Sequence, residues 1–149
     1  MEAIVVASAG KILHPAWLLK AEAVHRQLRP SLPADYSGKI QRVTAGGATL
    51  VAAVDGGKVL GVALYRCYEN TFSGIHFYVD DLVTDESQRS RGVGKFLLHY
   101  LEQEARKLGA DCLALESGTQ RQQAHKFYFR EGFTIPSFAF RRALSKSAK

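Results

Sequence analysis

Three cations and two glycines crowd into Arg89-Ser90-Arg91-Gly92-Val93-Gly94-Lys95, between a strand-like apolar pattern and a helical one. A helix start leaves its first backbone N–H groups unpaired and carries partial positive charge. Gly92 and Gly94 remove side chains that would hold an anion away. Arg89 and Arg91 can each offer a fork of N–H donors, and Lys95 adds a point charge. Together these residues predict a site for a polyphosphate. Two other glycine-loop chemistries fail on spacing. A dinucleotide fingerprint needs a glycine where Leu97 stands, and a P-loop needs Ser or Thr where Phe96 follows Lys95.

Upstream, Ile75, Phe77, Val79 and Val83 alternate with His76, Tyr78 and Asp80, which predicts a strand with one buried and one open face. Asp81 lands on the apolar side. An acid there must be paired, carry a raised pKa, or be turned out by a bulge. Downstream, Ala124, Phe127 and Tyr128 fall at i, i+3 and i+4 on one helix face, with Phe127 read as core. His99 and His125 show no metal-ligand spacing, so no metal is expected. Cys67 and Cys112 lie in apolar strand-like runs and read as buried free thiols. Cys112 has no His beside it in sequence, so no nucleophile–base pair is apparent.

The elements that must position these groups are legible from turn and cap residues. A β-run over 2–7 is followed by a helix from Pro15 to about Leu28, carrying Trp17, Leu18, Ala21, Val24 and Leu28. Asp35 can cap a second helix through Ile40 and Val43, which Gly46-Gly47 closes. A hairpin flanks Asp55-Gly56-Gly57. After the strand over 75–84, a helix over 92–108 places Val93, Phe96, Leu97, Tyr100, Leu101 and Leu108 largely on one face, and Gly109 ends it. A strand over 111–117, a helix over 120–131 and a last strand over about 138–143 complete the pattern. No repeat or linker divides the chain, which predicts one α/β (α+β) domain over residues 1–149.

Length and composition agree. The 149 residues, 46% hydrophobic and 23% charged, suit one globular domain. No apolar run reaches the ~20 residues of a membrane span, and the start lacks a basic, then long apolar, leader; a cytoplasmic protein is expected. The formal net charge is +6. Arg141, Arg142, Lys146 and Lys149 contribute to it near the C-terminal end, where 144–149 reads as a solvated tail. No cation stripe interleaved with aromatics points to nucleic acid.

The order strand, Arg89-Ser90-Arg91-Gly92-Val93-Gly94, helix, then Ala124-His125-Lys126-Phe127-Tyr128-Phe129-Arg130-Glu131-Gly132-Phe133 resembles the GNAT superfamily of acyl-CoA-dependent N-acetyltransferases. The first segment fulfils the family's Gln/Arg-x-x-Gly-x-Gly/Ala signature, and the resemblance names the polyphosphate as the pyrophosphate of acetyl-CoA. It covers residues 75 to 143, and the ending looks like bacterial members including the aminoalkylphosphonate acetyltransferases. It implies a mixed, mostly antiparallel sheet flanked by helices, with two splayed parallel strands holding acetyl-CoA. It favours the bulge for Asp81 and implies main-chain contacts from Leu82, Val83 and Thr84 to the pantetheine arm and thioester.

Tyr128 matches the tyrosine that protonates the departing thiolate; a thiol near ~8.5 and a phenol near ~10 can exchange a proton. Asp81 or Asp80 would relay the amine's proton through water, with Glu116 a third candidate. Arg121 stands where the family often has Asn, and a long cation there could serve the phosphates instead. The implied activity is acetyl transfer from acetyl-CoA to a primary amine of a small molecule by direct attack in a ternary complex. A protein or peptide acetyltransferase and a non-catalytic acyl-CoA sensor stay open as alternatives. Family precedent adds a homodimer.

Overall fold

Apolar runs, continuous at the centre and alternating over Gly74–Thr84, build a six-stranded mixed sheet in the computed structural model, which describes residues 1–145. The expected positions 146–149 of the solvated tail, with Lys146 and Lys149, lie outside the described residues. The chain forms two compact units, Met1–Leu115 and Glu116–Lys149.

In the first unit the strands are β1 (Glu2–Ser8), β2 (Lys11–Ile12), β3 (Ala48–Asp55), β4 (Lys58–Asn70), β5 (Gly74–Thr84) and β6 (Cys112–Leu115), in sheet order β2-β1-β3-β4-β5-β6. All pairs are antiparallel except β5–β6. The helices are α1 (Pro15–Leu28), α2 (Tyr36–Ala45) and α3 (Val93–Lys107). Pro15 opens α1, and the Asp35 carboxylate accepts from the Gly38 N–H to cap α2. Leu18, Ala21 and Val24 of α1, with Tyr36 and Ile40 of α2, pack on one face of the sheet against Leu50, Val62, Leu64 and Val83. Val93, Leu97 and Leu101 of α3 pack on the other, against Val51, Ala63, Phe77 and Val79. Leu108, expected on that face, caps α3 and is half-exposed.

The close approach of α3 to the sheet depends on Gly61 in β4. A Cβ there would lie 2.8 Å from the Val83 carbonyl oxygen, 2.9 Å from Val93 and 3.0 Å from Leu97. Gly61→Ala is therefore expected to destabilise the fold by about 1–3 kcal/mol through overpacking. Denaturant unfolding of that variant checks it; an unchanged midpoint would show that α3 can retreat without cost.

The second unit holds α4 (Gln122–Arg130), followed by Gly132 with φ 88°. No strand forms over 138–143, contrary to the last strand expected there. Phe138 and Phe140 are 83% and 95% exposed there.

Candidate active site

Strand β5 carries the decisive irregularity. Its register against β4 runs Val79↔Tyr65 and then Asp81↔Leu64, leaving Asp80 as an extra residue in a bulge. The bulge reverses the alternation: Phe77 and Val79 face α3, whereas Asp81 and Val83 face α1. The expectation that a bulge turns the Asp81 side chain out is thus corrected. The bulge is present, but Asp81 is 8% exposed and paired. A one-residue insertion moves every later side chain to the opposite face.

Asp81 is held from two directions by α1. His25 Nε2 donates to Asp81 Oδ2 at 2.8 Å, and Arg29 Nε donates to Oδ1 at 2.7 Å. Arg29 also donates to the Asp80 carbonyl at 3.1 Å, so one guanidinium spans the bulge. His25, 1% exposed, bonds the Tyr36 hydroxyl through Nδ1 at 2.9 Å. Burial pushes the Asp81 carboxyl up, but the hydrogen bond and charge of His25, with Arg29, outweigh it and leave the pKa below the ordinary value. Burial pushes the Tyr36 phenol far up, helped by the Glu22 and Asp81 charges. The Asp80 carboxylate pairs with Arg66 at 2.6 Å.

The sequence reading passed over His25 and Arg29. The signal was available: His25 lies on the α1 face of Leu18, Ala21 and Val24, a polar misfit matching the misfit at Asp81.

Past the bulge, β5 leaves its parallel neighbour. Pairing with β6 runs from His76↔Cys112 to Val79↔Leu115 and stops. Leu82, Val83 and Thr84 therefore continue along β4 without β6 on their other edge. Such divergence leaves main-chain groups open to a ligand at the carboxyl ends of parallel strands.

Beyond Thr84 the chain is pinned before it reaches α3. The Asp85 N–H donates to the Leu60 carbonyl, and the Glu86 N–H to Gln27. The Asp85 carboxylate caps a 3-10 turn over Glu86–Gln88. Ser90 and Gly92 then take left-handed backbone, with φ 62° and 79°. Left-handed residues in such a turn help successive amides form an anion-binding concavity.

A Cβ at Gly92 would meet no protein atom, and its positive φ is one that glycine adopts without strain. The first helical bond of α3 runs from the Phe96 N–H to Gly92, so the amides of Val93, Gly94 and Lys95 lie in the unbonded first turn. Arg89, Arg91 and Lys95 are exposed around them. A recess of about 360 Å³ adjoins the turn, lined by Lys58, Leu60, Gln88, Arg91 and Val93 among others.

In the second unit, Arg121 is the N-cap residue of α4 and Tyr128 lies in its last turn. The Tyr128 ring meets Phe127 and Phe133 at 5.4 and 5.7 Å between centroids. Burial raises the phenol's pKa, and the Arg121 charge opposes that only in part, so Tyr128 holds its proton at neutral pH. Glu116 is exposed.

Both cysteines are free and half-buried, more open than the sequence suggested. The reading of Cys112 without a neighbouring His is corrected too. Its register partner His76 brings Nδ1 to 3.1 Å from Sγ. No cluster of three or more His, Cys, Asp or Glu able to hold a metal occurs among the described residues. No helix among them is long and apolar enough to cross a membrane.

The model of the Acetyltransferase (GNAT) family matches residues 15–133. The chain is 42% identical over 94 residues to the uncharacterized N-acetyltransferase YhdJ of Bacillus subtilis (strain 168), covering 53% of this chain and 66% of that protein. It is 32% identical over 93 residues to the aminoalkylphosphonate N-acetyltransferase of Salmonella typhimurium, covering 62% and 60%. The matches thus span less than two thirds of either relative.

Among solved structures, a putative acetyltransferase from Agrobacterium tumefaciens str. C58 superposes with a TM-score of 0.75 at 22% identity, over 97% of this chain and 100% of that one. The structure of AAC(6')-Iy with a CoA-containing bisubstrate analogue gives 0.76 at 19% identity, over 88% and 94%. At such identities the likeness is one of fold.

Proposed function

The chain belongs to the Acetyltransferase (GNAT) family, and from that premise we propose that it transfers an acetyl group from acetyl-CoA to a primary amine of a small molecule. One observation carries the reading. A strand that parts from its neighbour leads through a left-handed, cation-bearing turn into the open N-terminus of α3. That arrangement suits a long ligand with a neutral arm and a polyphosphate end. The family match spans both compact units, which supports reading them as one acetyltransferase domain.

The residues divide the work as follows. Arg89, Arg91 and Lys95, with the amides of Ser90 and Gly92 through Gly94, take the pyrophosphate. The main chain of Leu82, Val83 and Thr84 lies along the pantetheine arm, and an N–H there steadies the developing oxyanion. Tyr128 gives its proton to the departing sulfur, a role carried over from the resemblance, and Arg121 adds a cation for the phosphates. The amine attacks the thioester carbon directly, the tetrahedral centre collapses, and CoA leaves as the thiol.

For the amine's proton, Asp80 and Asp81 remain the nearest acids to the bulge. Asp81 spends both oxygens on His25 and Arg29, so its main part is assigned to holding the bulge. Asp80, bonded to Arg66 through one oxygen, is the better placed to hold a water.

The relative that acts on aminoalkylphosphonates supports a small acceptor. The reading also takes the protein as cytoplasmic and homodimeric, the latter supported by the exposed Phe138 and Phe140.

Thiol release from acetyl-CoA, followed across polyamines, aminophosphonates, amino sugars, amino acids and peptides, tests the transfer. A saturable signal with a small amine is expected. A signal with peptides alone would overturn the small-molecule acceptor, and silence with every amine, despite acetyl-CoA binding, would overturn transfer.

A further inference from the structure

Ser73, His76 and Cys112 form a cluster outside the site described above. His76 and Cys112 face each other across the β5–β6 pair, three residue pairs before pairing stops. At ~3.3 Å per residue, that is about 10 Å from the divergence.

The protons in this cluster can be counted. Asn70 Oδ1 accepts from the Phe72 N–H, the Ser73 N–H and the Ser73 hydroxyl, at 3.2, 2.8 and 3.0 Å. A serine has one hydroxyl proton, and it is committed to that oxygen. Ser73 Oγ, 2.9 Å from His76 Nδ1, therefore accepts, and Nδ1 is the protonated nitrogen. Cys112 Sγ lies 3.1 Å from the same nitrogen, and with Nδ1 protonated it is placed as an acceptor. An imidazole donor aimed at the sulfur is an arrangement that assists a cysteine's nucleophilic attack.

The surroundings suit a small reactant. His76 is 9% exposed, with Tyr68 and Phe72 rings at 5.4 and 6.0 Å that are themselves 46% and 82% exposed. Cys67 makes a built-in reference: it pairs with Phe77, packs toward α3, and burial raises its thiol's pKa.

The geometry points to Cys112 as a covalent modification site, activated by His76, for low-molecular-weight disulfides. Its thiolate attacks one sulfur of RS–SR. The Cys112–S–SR bond forms, the original S–S bond breaks, and the released RS⁻ is protonated in place of the Cys112 thiol. The disulfide is the oxidant and is reduced to one RSH for each Cys112 oxidised. None of this depends on the acetyltransferase reading.

In Cys67→Ser protein Cys112 is the one remaining thiol, and 5,5′-dithiobis(2-nitrobenzoate) is a suitable probe. The native protein is expected to release thionitrobenzoate about tenfold faster at neutral pH than the same protein unfolded in concentrated urea. Burial alone can only slow that reaction, so a native rate equal to or below the unfolded one overturns the proposal. Adding His76→Asn should bring the native rate down to or below the unfolded value. A folded His76→Asn variant that still reacts fast would also overturn it. Where that variant fails to fold, the native-against-unfolded comparison decides by itself.

Discussion

Tyr128→Phe is expected to lower turnover about 100-fold or more while leaving acetyl-CoA affinity nearly intact. The substitution removes one hydroxyl and keeps the ring that packs on Phe127 and Phe133. The phenol is held protonated by burial, which a general acid requires and a general base would not. Losing the proton donor leaves the thiolate to depart unprotonated or to wait for water, a step that costs rate but not ground-state binding. Steady-state kinetics with calorimetry on the same preparation separate the two. Equal turnover for the variant at several pH values would remove Tyr128 from the chemistry, and a matched loss of affinity would make it a binding residue.

His25→Ala should be the most destabilising single change around the bulge, at about 3 kcal/mol or more. It strips one partner from a carboxylate that stays buried and also leaves the Tyr36 hydroxyl without its imidazole. Arg29→Ala should cost less, because that side chain is half-exposed and water can replace it at Oδ1. The acid side of the stability curve carries the same signature. The folded pKa of Asp81 lies below its unfolded value, so the pairing stabilises the fold fully above ~3.9 and is lost as pH falls through the folded pKa. Denaturant unfolding of the wild type and His25→Ala across that range checks this. The gap between the two proteins should narrow as pH falls below ~4, and a constant gap would show that His25 acts through packing alone.

The clamp also shows what a sequence can and cannot disclose. The helices, the hairpin at Gly56-Gly57 and the glycine turn before α3 were legible because each rests on local rules: caps, periodicity and backbone freedom at glycine. The misplaced acid at Asp81 was legible as an anomaly, but not its resolution. Its partners lie 56 and 52 residues away on α1, and the bulge that turns it toward them is a property of register, not of composition. Gly61 was hidden for a similar reason, since the need for glycine comes from Val93 and Leu97 of a later helix. The His76–Cys112 pairing follows from a parallel register that no local pattern encodes. The absent strand over 138–143 is the opposite case, in which the local sequence promised an element that does not form.

The turn from Arg89 to Lys95 is the hinge of the functional account, and acetyl-CoA titration by calorimetry tests it most directly. Wild-type protein should bind with a single saturable site, and Arg89→Ala and Arg91→Ala should each weaken binding by about tenfold, with the loss shrinking as salt is raised. Absence of binding to the folded wild type, or affinities unchanged in both variants, would contradict a polyphosphate site at this turn.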